Sequence, residues 1–238
     1  MKIDGTRVSS VQDASLRLSS GKSVCLSVRR GEKQAEFYLT PEKTETGYRL
    51  GISVRDNISG IGTITFFDPE TGVYGALGHG VAGLTSAQPL AISGGVLVPS
   101  SVTDVKKGVR GTPGELHGSF DVADPLGSVS QNEPHGIFGK LTALPQSESV
   151  PVADASQIHT GAAVILANVD GKETREYCVR IDKLYPQAEN GRNLLLTVTD
   201  ERLLAVTGGI VQGMSGSPIL QDGRLIAVSY THLRAHET

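Results

Sequence analysis

The chain has 238 residues and a formal net charge of -3; apolar residues make up 38% of it and charged residues 20%. This balance is typical of a soluble globular protein and argues against intrinsic disorder. It also excludes an electrostatic nucleic-acid binder, because such proteins carry a basic excess or a basic stripe. The 29 glycines and the absence of tryptophan indicate many short strands joined by tight turns.

The sequence contains no segment typical of membrane insertion or of a disulfide framework. The longest strongly apolar stretch, residues 162–169, is too short to cross a bilayer. The start of the chain lacks a charged region followed by an apolar one, so no secretion signal is visible. Cys25 and Cys178 lie in predicted strands, where we expect them to be buried as small apolar residues.

One helix is predicted, close to the start of the chain. Ser10 can cap it, and Asp13 at the third helical position completes a capping-box arrangement. The helix is expected to end at the turn formed by residues 19–21. Strands predicted at 24–28 and 35–39 follow it, which gives a strand–helix–strand–turn–strand unit that is small for an independent core.

Beyond residue 48 the pattern predicts one strand after another, at 61–67, 73–77, 96–98, 137–141, 162–169, 177–184, 194–198 and 216–220. The first two flank a turn at 68–72 and predict a β-hairpin. Short strands with glycine and proline between them favour an antiparallel barrel or sandwich over a parallel α/β fold. The predicted domain boundary lies between residues 47 and 59.

The sequence GMSGSP at residues 213–218 is the sharpest chemical signal. A serine hydroxyl is a poor nucleophile, and it needs a base and donors for the oxyanion of the tetrahedral intermediate. The glycines allow the backbone N–H groups of Gly213 and Ser215 to converge on one point without a side chain in the way. The alternative is a glycine-rich turn between two strands.

The sequence GHG at residues 78–80 is the second signal, because it follows a predicted apolar strand. Histidine has the right pKa to act first as a base and then as an acid near neutral pH. His79 alone is as compatible with an ordinary turn, but together with Ser215 it predicts a catalytic pair.

The third member of such a site is a carboxylate that orients the histidine. Asp200 follows the predicted strand 194–198 and precedes Ser215 by fifteen positions. Asp104, Asp121 and Asp124 also lie between His79 and the serine, so the sequence leaves the choice open. A purely structural role at a strand end is equally in keeping with an aspartate.

Other chemistries are disfavoured by missing residues. The sequence GKS at 21–23 lacks the glycine that a phosphate-binding loop needs five positions earlier. Ser217 stands where a hydrolase nucleophile elbow requires glycine, which argues against an esterase of that fold. His117, His135 and His159 are too widely spaced to predict a metal site, and no metal or organic cofactor is expected.

Two motifs in this order resemble those of the SpoIVB peptidases of endospore-forming bacteria: GALGHG at 75–80 and GMSGSP at 213–218. The stretches 60–66 and 68–72 are also similar to the start of that peptidase domain. The resemblance covers nearly all of residues 50–227. It implies a mainly β, chymotrypsin-like double β-barrel, with His79 as general base, Ser215 as nucleophile and Asp200 as the orienting acid.

The resemblance also implies a domain organisation. Residues 1–46 look like the second half of a PDZ domain, an α+β unit whose peptide-binding loop and strand would lie upstream; residues 47–227 form the peptidase domain. Residues 228–238 look like a non-native, adapter-derived tail, so His232 and His236 are not read as catalytic. With the last strands of the second barrel replaced, we expect the chain as given to be poorly active or inactive.

Members of this family are implied to be serine endopeptidases that act in sporulation. The expected partner is a protein substrate that regulates an intramembrane protease, and its cleavage activates processing of a sigma factor; self-cleavage is implied as well. The parent protein is expected to be membrane-associated and exported from the forespore to the intermembrane space. The alternative is a binding or scaffold protein whose peptidase-like domain no longer cleaves.

Overall fold

The computed structural model describes residues 1–30, 33–52, 58–78, 80–82, 89–188 and 192–230. The chain divides into two compact units, Met1–Ser59 and Gly60–Thr238. In the described ranges, neither helix is long and apolar enough to cross a membrane.

The first unit combines one α-helix with short strands. Its elements are β1 (Lys2–Ile3), β2 (Thr6–Arg7), α1 (Val11–Leu18), β3 (Val24–Arg30), β4 (Lys33–Leu39), β5 (Glu42–Thr44) and β6 (Gly47–Arg49). Four strands form a sheet in the order β2-β1-β3-β4, and β5 pairs with β6. The predicted α+β character is confirmed, and the likeness to half a PDZ domain stays a prediction.

The predicted helix cap is present in α1. The Ser10 hydroxyl accepts a hydrogen bond from the Asp13 backbone N–H at 3.0 Å, while the Asp13 carboxylate accepts from the Ser9 N–H at 2.9 Å. The first bond satisfies an N–H group that the first turn of a helix leaves unpaired, and the second holds the residue that precedes the cap. Ala14 and Leu18 of the helix face a small apolar core with residues of β1 and β3.

The second unit is built almost entirely from antiparallel strands. In chain order its elements are β7 (Phe66–Phe67), β8 (Val73–Leu77), β9 (Gly95–Leu97), β10 (Ser100–Lys106), β11 (Glu115–Phe120), β12 (Gly127–Glu133), β13 (Gly136–Leu141), a 3-10 turn (Ala155–Gln157), β14 (Gly161–Ala167), β15 (Arg175–Leu184), β16 (Leu194–Val198), α2 (Glu201–Thr207), β17 (Pro218–Gln221) and β18 (Arg224–Val228).

Two five-stranded antiparallel sheets organise this unit. The first sheet has the order β7-β8-β13-β12-β9, the second has the order β16-β15-β14-β17-β18, and β10 pairs with β11. The predicted mainly β class is confirmed, and one sheet corresponds to each expected barrel. Across the described residues, hydrogen bonds do not close either sheet into a ring.

The main core lies against the second sheet. Alternate residues of β14 and β15 point inward, as a strand period of two requires; Ile165 and Ile181 are at most 1% exposed. Leu203 of α2 and Met214 belong to the same cluster. Cys178 lies between two inward-facing residues of β15 and is therefore exposed, so the expectation that it is buried is wrong.

Several parts of the second unit differ from the sequence-based prediction, and the strands β10, β11 and β12 were not predicted at all. The first strand of the predicted hairpin is only Phe66–Phe67 rather than 61–67. A second helix, α2, follows Asp200 where none was predicted. The last strand continues beyond residue 227 to Val228, which pairs with Pro218; residues 231–238 lie outside the described ranges.

Candidate active site

Ser215 lies in a tight loop that joins α2 to β17. Two turns follow each other in this loop: the Met214 N–H donates to the Val211 carbonyl, and the Ser217 N–H donates to the Met214 carbonyl, both at 3.1 Å. Gly216 is the third residue of the second turn and has a φ of 86°, a conformation that glycine adopts without strain. The serine therefore occupies a defined position at the corner of a turn.

Buried groups hold residues 211–217, the serine loop, in place. The side chain of Met214 is 1% exposed and packs in the main core. Ser229, which is also buried, accepts the Gly216 N–H on its carbonyl at 2.8 Å. The Ser229 hydroxyl accepts the Ser217 N–H at 3.2 Å and donates to the Met214 carbonyl. A hydrogen-bonded and packed loop of this kind gives a nucleophile a fixed position.

Gly213 was predicted to supply one oxyanion donor. Among the hydrogen bonds of the described residues, none is donated by its backbone N–H. A β-carbon at this position would lie 3.0 Å from Cβ of Leu116, so a larger residue would have to displace the neighbouring strand. Ser215 already interacts with other groups of the protein. The backbone N–H of Gly213 remains available to bind the oxyanion oxygen of a substrate.

The segment that precedes His79 lies directly against the serine loop. The Gly78 N–H donates to the His135 carbonyl at 3.1 Å, which continues the pairing of β8 with β13. With a φ of 125°, Gly78 brings its backbone so close to the serine that a β-carbon there would lie 3.2 Å from Cβ of Ser215. The predicted base and the predicted nucleophile therefore belong to adjoining segments.

The segment that follows His79 is held by Asn132 on β12. The Asn132 side-chain oxygen accepts the Val81 N–H at 2.8 Å. Its amide nitrogen donates to the Val81 carbonyl at 2.8 Å and to the Leu90 carbonyl at 2.9 Å. His79 itself lies outside the described residues, so its proposed role as base stays a prediction; the residues on both sides of it have fixed partners.

Thr65 connects the two segments. Its hydroxyl donates to the Gly216 carbonyl at 2.8 Å and accepts the Leu77 N–H at 3.0 Å. Sequence reasoning singled out neither Thr65 nor Asn132. Their partners lie 151 and about 50 positions away, and such long-range side-chain bonds to the backbone leave no local pattern.

Asp200 is the N-cap of α2. Its carboxylate accepts the backbone N–H groups of Arg202 at 2.9 Å and Leu203 at 3.4 Å. It also accepts the Cys178 N–H at 3.2 Å, which connects the start of the helix to β15. The Arg202 guanidinium pairs with both carboxylate oxygens, at 2.8 and 3.1 Å. Asp200 is buried, and its structural role is to cap α2 and to connect it to β15.

These contacts act on the ionisation of Asp200. The hydrogen bonds from Arg202 hold the pKa of the carboxyl far below its usual value, and the N–H groups of Cys178, Leu203 and Arg202 lower it further, whereas burial opposes the shift. A group that accepts several hydrogen bonds in its charged form behaves in this way. Asp200 is thus a carboxylate at any pH at which a histidine could serve as base.

With this geometry in hand, comparison with known proteins identifies the family. The family model for SpoIVB peptidase S55 matches residues 46–237. The chain belongs to the SpoIVB peptidase family. The match includes His79, Asp200, Ser215 and Gly213, and it confirms the resemblance drawn from the two glycine-flanked motifs. No curated protein and no solved structure matches the chain.

The other aspartates considered for the SpoIVB peptidase site lie elsewhere in the second unit. Asp104 is on β10 and lines a cavity of about 410 Å³ together with Tyr177 and Arg202. Asp121 and Asp124 are exposed in the connection after β11. Among the described residues, no hydrogen bond connects any of these three aspartates to the serine loop, and the same is true of Asp200.

In the part of this SpoIVB peptidase that the structure describes, His117, His135 and His159 do not gather into a site. Across the described ranges, no group of three or more His, Cys, Asp or Glu side chains is arranged to hold a metal ion. His159 pairs with Asp222 at 2.9 Å on the surface, and His117 lies 3.9 Å from Glu115. His135 supports the predicted site through its backbone carbonyl alone.

Proposed function

We propose that this SpoIVB-type peptidase is a serine endopeptidase that works through an acyl-enzyme. The Ser215 hydroxyl attacks the carbonyl carbon of the scissile bond while His79 takes its proton. The Gly213 and Ser215 N–H groups stabilise the oxyanion, and His79 returns the proton to the leaving amine. Water then attacks the ester by the same route and frees the serine. This chemistry uses only side chains and backbone of the chain.

The observation that carries this proposal is the contact between Gly78 and Ser215. It supports a base and a nucleophile in adjoining segments although 136 positions separate them in the sequence. The uncommitted Gly213 N–H supports the oxyanion role, because a donor that is already paired would have to break a bond before it could stabilise the intermediate.

Asp200 enters the proposal as the acid that orients His79. Its permanent charge, its burial and its bonds from backbone N–H groups are properties that such an aspartate needs. Its pairing with Arg202 competes for the same oxygens. A variant of Asp200 that still caps the helix but cannot orient His79 separates these two roles and tests the catalytic one.

The biological setting is proposed from family membership. The parent protein would be exported from the forespore into the intermembrane space and associate with a membrane there. It would cleave a protein that regulates an intramembrane protease, and so activate sigma-factor processing in sporulation. The chain would also cleave itself.

Labelling with a fluorophosphonate probe tests the proposed chemistry, because it needs one attack by the serine and no extended substrate pocket. We expect the wild-type chain to label at Ser215, and S215A and H79A to lose labelling. Ser130, whose hydroxyl donates to the Phe138 carbonyl on the surface of the first sheet, provides a control: S130A should label like the wild type. Absence of labelling in the folded wild type would instead favour a non-catalytic binding protein, and persistence of labelling in S215A would assign the nucleophile to another residue.

A further inference from the structure

The Thr65 hydroxyl makes hydrogen bonds to both segments of the proposed site. Thr65 directly precedes β7, and its backbone N–H donates to the Gly75 carbonyl at 2.8 Å. Its side chain then reaches the Gly216 carbonyl on one side and the Leu77 N–H on the other, at 2.8 and 3.0 Å. Leu77 is the last residue of β8, two positions before His79.

Both hydrogen-bond partners of Thr65 are close in the sequence to the proposed catalytic residues Ser215 and His79. Gly216 follows Ser215, and its own N–H is already held by the Ser229 carbonyl at 2.8 Å. The bond from Thr65 fixes the opposite, carbonyl side of the same residue. Gly216 also lies against the Leu77 carbonyl so closely that a β-carbon at Gly216 would overlap with it. The Thr65 hydroxyl thus holds the serine loop close to the end of β8.

We infer that Thr65 is a positioning residue for the proposed reaction, one that holds the serine loop in register with the strand that leads to His79. This inference rests on the proposed function. It follows from the chemistry of a hydroxyl, which donates and accepts at once. Valine has the same shape but does neither, and it would leave the Leu77 N–H and the Gly216 carbonyl without their partner.

The expected consequence is a loss of rate rather than a loss of binding. Reacting groups must be held in near-attack geometry, and a displacement of about 1 Å can lower a rate by roughly 10²-fold. We expect T65V to lower the maximal rate constant of fluorophosphonate labelling by about this factor while the half-saturating probe concentration stays nearly constant. T65S keeps the hydroxyl and should label within a few-fold of the wild type.

Thr207 provides the matched control for a lost buried hydroxyl. Its single O–H is shared between the Leu203 carbonyl at 2.8 Å and the Gly209 carbonyl at 2.7 Å, and its oxygen accepts the Gly209 N–H at 3.4 Å, at the end of α2. T207V is the same substitution and removes two hydrogen bonds to backbone as well. It should lower the melting temperature at least as much as T65V and leave the labelling rate of the folded fraction unchanged.

Amide hydrogen exchange gives a readout that does not depend on activity. In T65V, exchange should rise at Leu77 and at Gly216, whereas T65S and T207V should retain wild-type protection there. Unchanged protection in T65V, or labelling of T65V at the wild-type rate, would overturn the inference. If the folded wild-type chain does not label at all, the proposed function fails, and the exchange measurement alone decides whether Thr65 couples the two segments.

Discussion

The backbone of Gly78 lies beside Ser215, 137 positions away in the sequence, so closely that a side chain on the glycine would crowd the serine. A β-carbon at Gly78 would lie 3.2 Å from Cβ of Ser215 and 3.4 Å from the Gly216 nitrogen. Gly78, which precedes the predicted base His79, thus lies directly beside the predicted nucleophile Ser215. The serine-peptidase proposal depends on this close approach of two backbone segments.

Replacing Gly78 with alanine is expected to abolish most labelling of Ser215. The φ of 125° is strained for any residue with a β-carbon, at about 1–3 kcal/mol, and the new methyl group would push the serine loop away. Gly111 has a φ of 80° and open space around it, so G111A measures backbone strain alone. Thermal unfolding should show a loss of stability in both variants, larger in G78A because the clash adds to the strain, whereas fluorophosphonate labelling should fall, by roughly 10²-fold, only in G78A. Equal labelling of the two would show that the contact has no role.

Replacing Asp200 with asparagine separates its two roles. Asparagine caps a helix about as well as aspartate, so D200N should keep α2, and its loss of stability should come from the bond to Arg202. If Asp200 orients His79, the neutral side chain favours the wrong tautomer, and we expect kcat for peptide hydrolysis, or the labelling rate, to fall by about 10⁴-fold.

The matched control for D200N is R202Q, which weakens the same ion pair and leaves the aspartate charged. We expect R202Q to retain the labelling rate while its melting temperature falls as in D200N. Labelling of D200N at the wild-type rate would leave Asp200 as a helix cap only, and Asp104, Asp121 and Asp124 would be the next variants.

Replacing Asn132 with aspartate tests the bonds that hold the segment after His79. The carboxylate keeps the shape of the amide but has no N–H group, so it cannot donate to the Val81 and Leu90 carbonyls and repels them. A fully buried unpaired group costs about 1–3 kcal/mol, and we expect a smaller cost for these half-buried carbonyls. Asn168 makes comparable bonds in a half-buried turn, so N168D is the control. Faster exchange of the Val81 amide and slower labelling are expected in N132D alone.

The parts of this molecule that the sequence predicts are those whose signals are local. The strands β14 and β15 follow from a period of two, and the serine loop follows from glycines on both sides of Ser215, because a turn needs such residues at fixed offsets. The helix α2 was missed although Asp200 and Gly208 are typical residues for its two ends. Its seven residues are too few for a helical period to stand out next to a strand.

The links that assemble the site have no local signal. Thr65 could be any threonine next to a strand, and Asn132 any polar residue within a strand, until the fold brings Gly216 and Val81 to them. The same holds for Ser229, which the sequence assigned to a tail but whose hydroxyl and carbonyl hold the serine loop. Residues of this kind become visible only when chain segments far apart in sequence are paired.

The surface pair His159–Asp222 predicts a pH-dependent stability whose sign can be derived. The Thr160 carbonyl, and then the Asp222 carboxylate, raise the pKa of His159 above its ordinary value of 6.5. A raised folded-state pKa contributes stability that is complete below the unfolded-state pKa and is lost as the pH rises through the folded-state value. D222N removes the carboxylate, and asparagine tolerates the φ of 51° at this position. The difference in melting temperature between wild type and D222N should therefore be larger at pH 6 than at pH 8.5.

Asp182 supplies the control for this pH dependence, because it lies on the same sheet but pairs with Arg180 at 2.7 Å rather than with a histidine. The hydrogen bond from Thr197 and then that from Arg180 lower the pKa of Asp182, so Asp182 stays ionised between pH 6 and 8.5. The melting-temperature difference between wild type and D182N should hence stay constant over this range. If the melting-temperature difference between wild type and D222N were also constant, Asp222 would not raise the pKa of His159. If that difference grew with pH, the assigned direction of the pKa shift would be wrong.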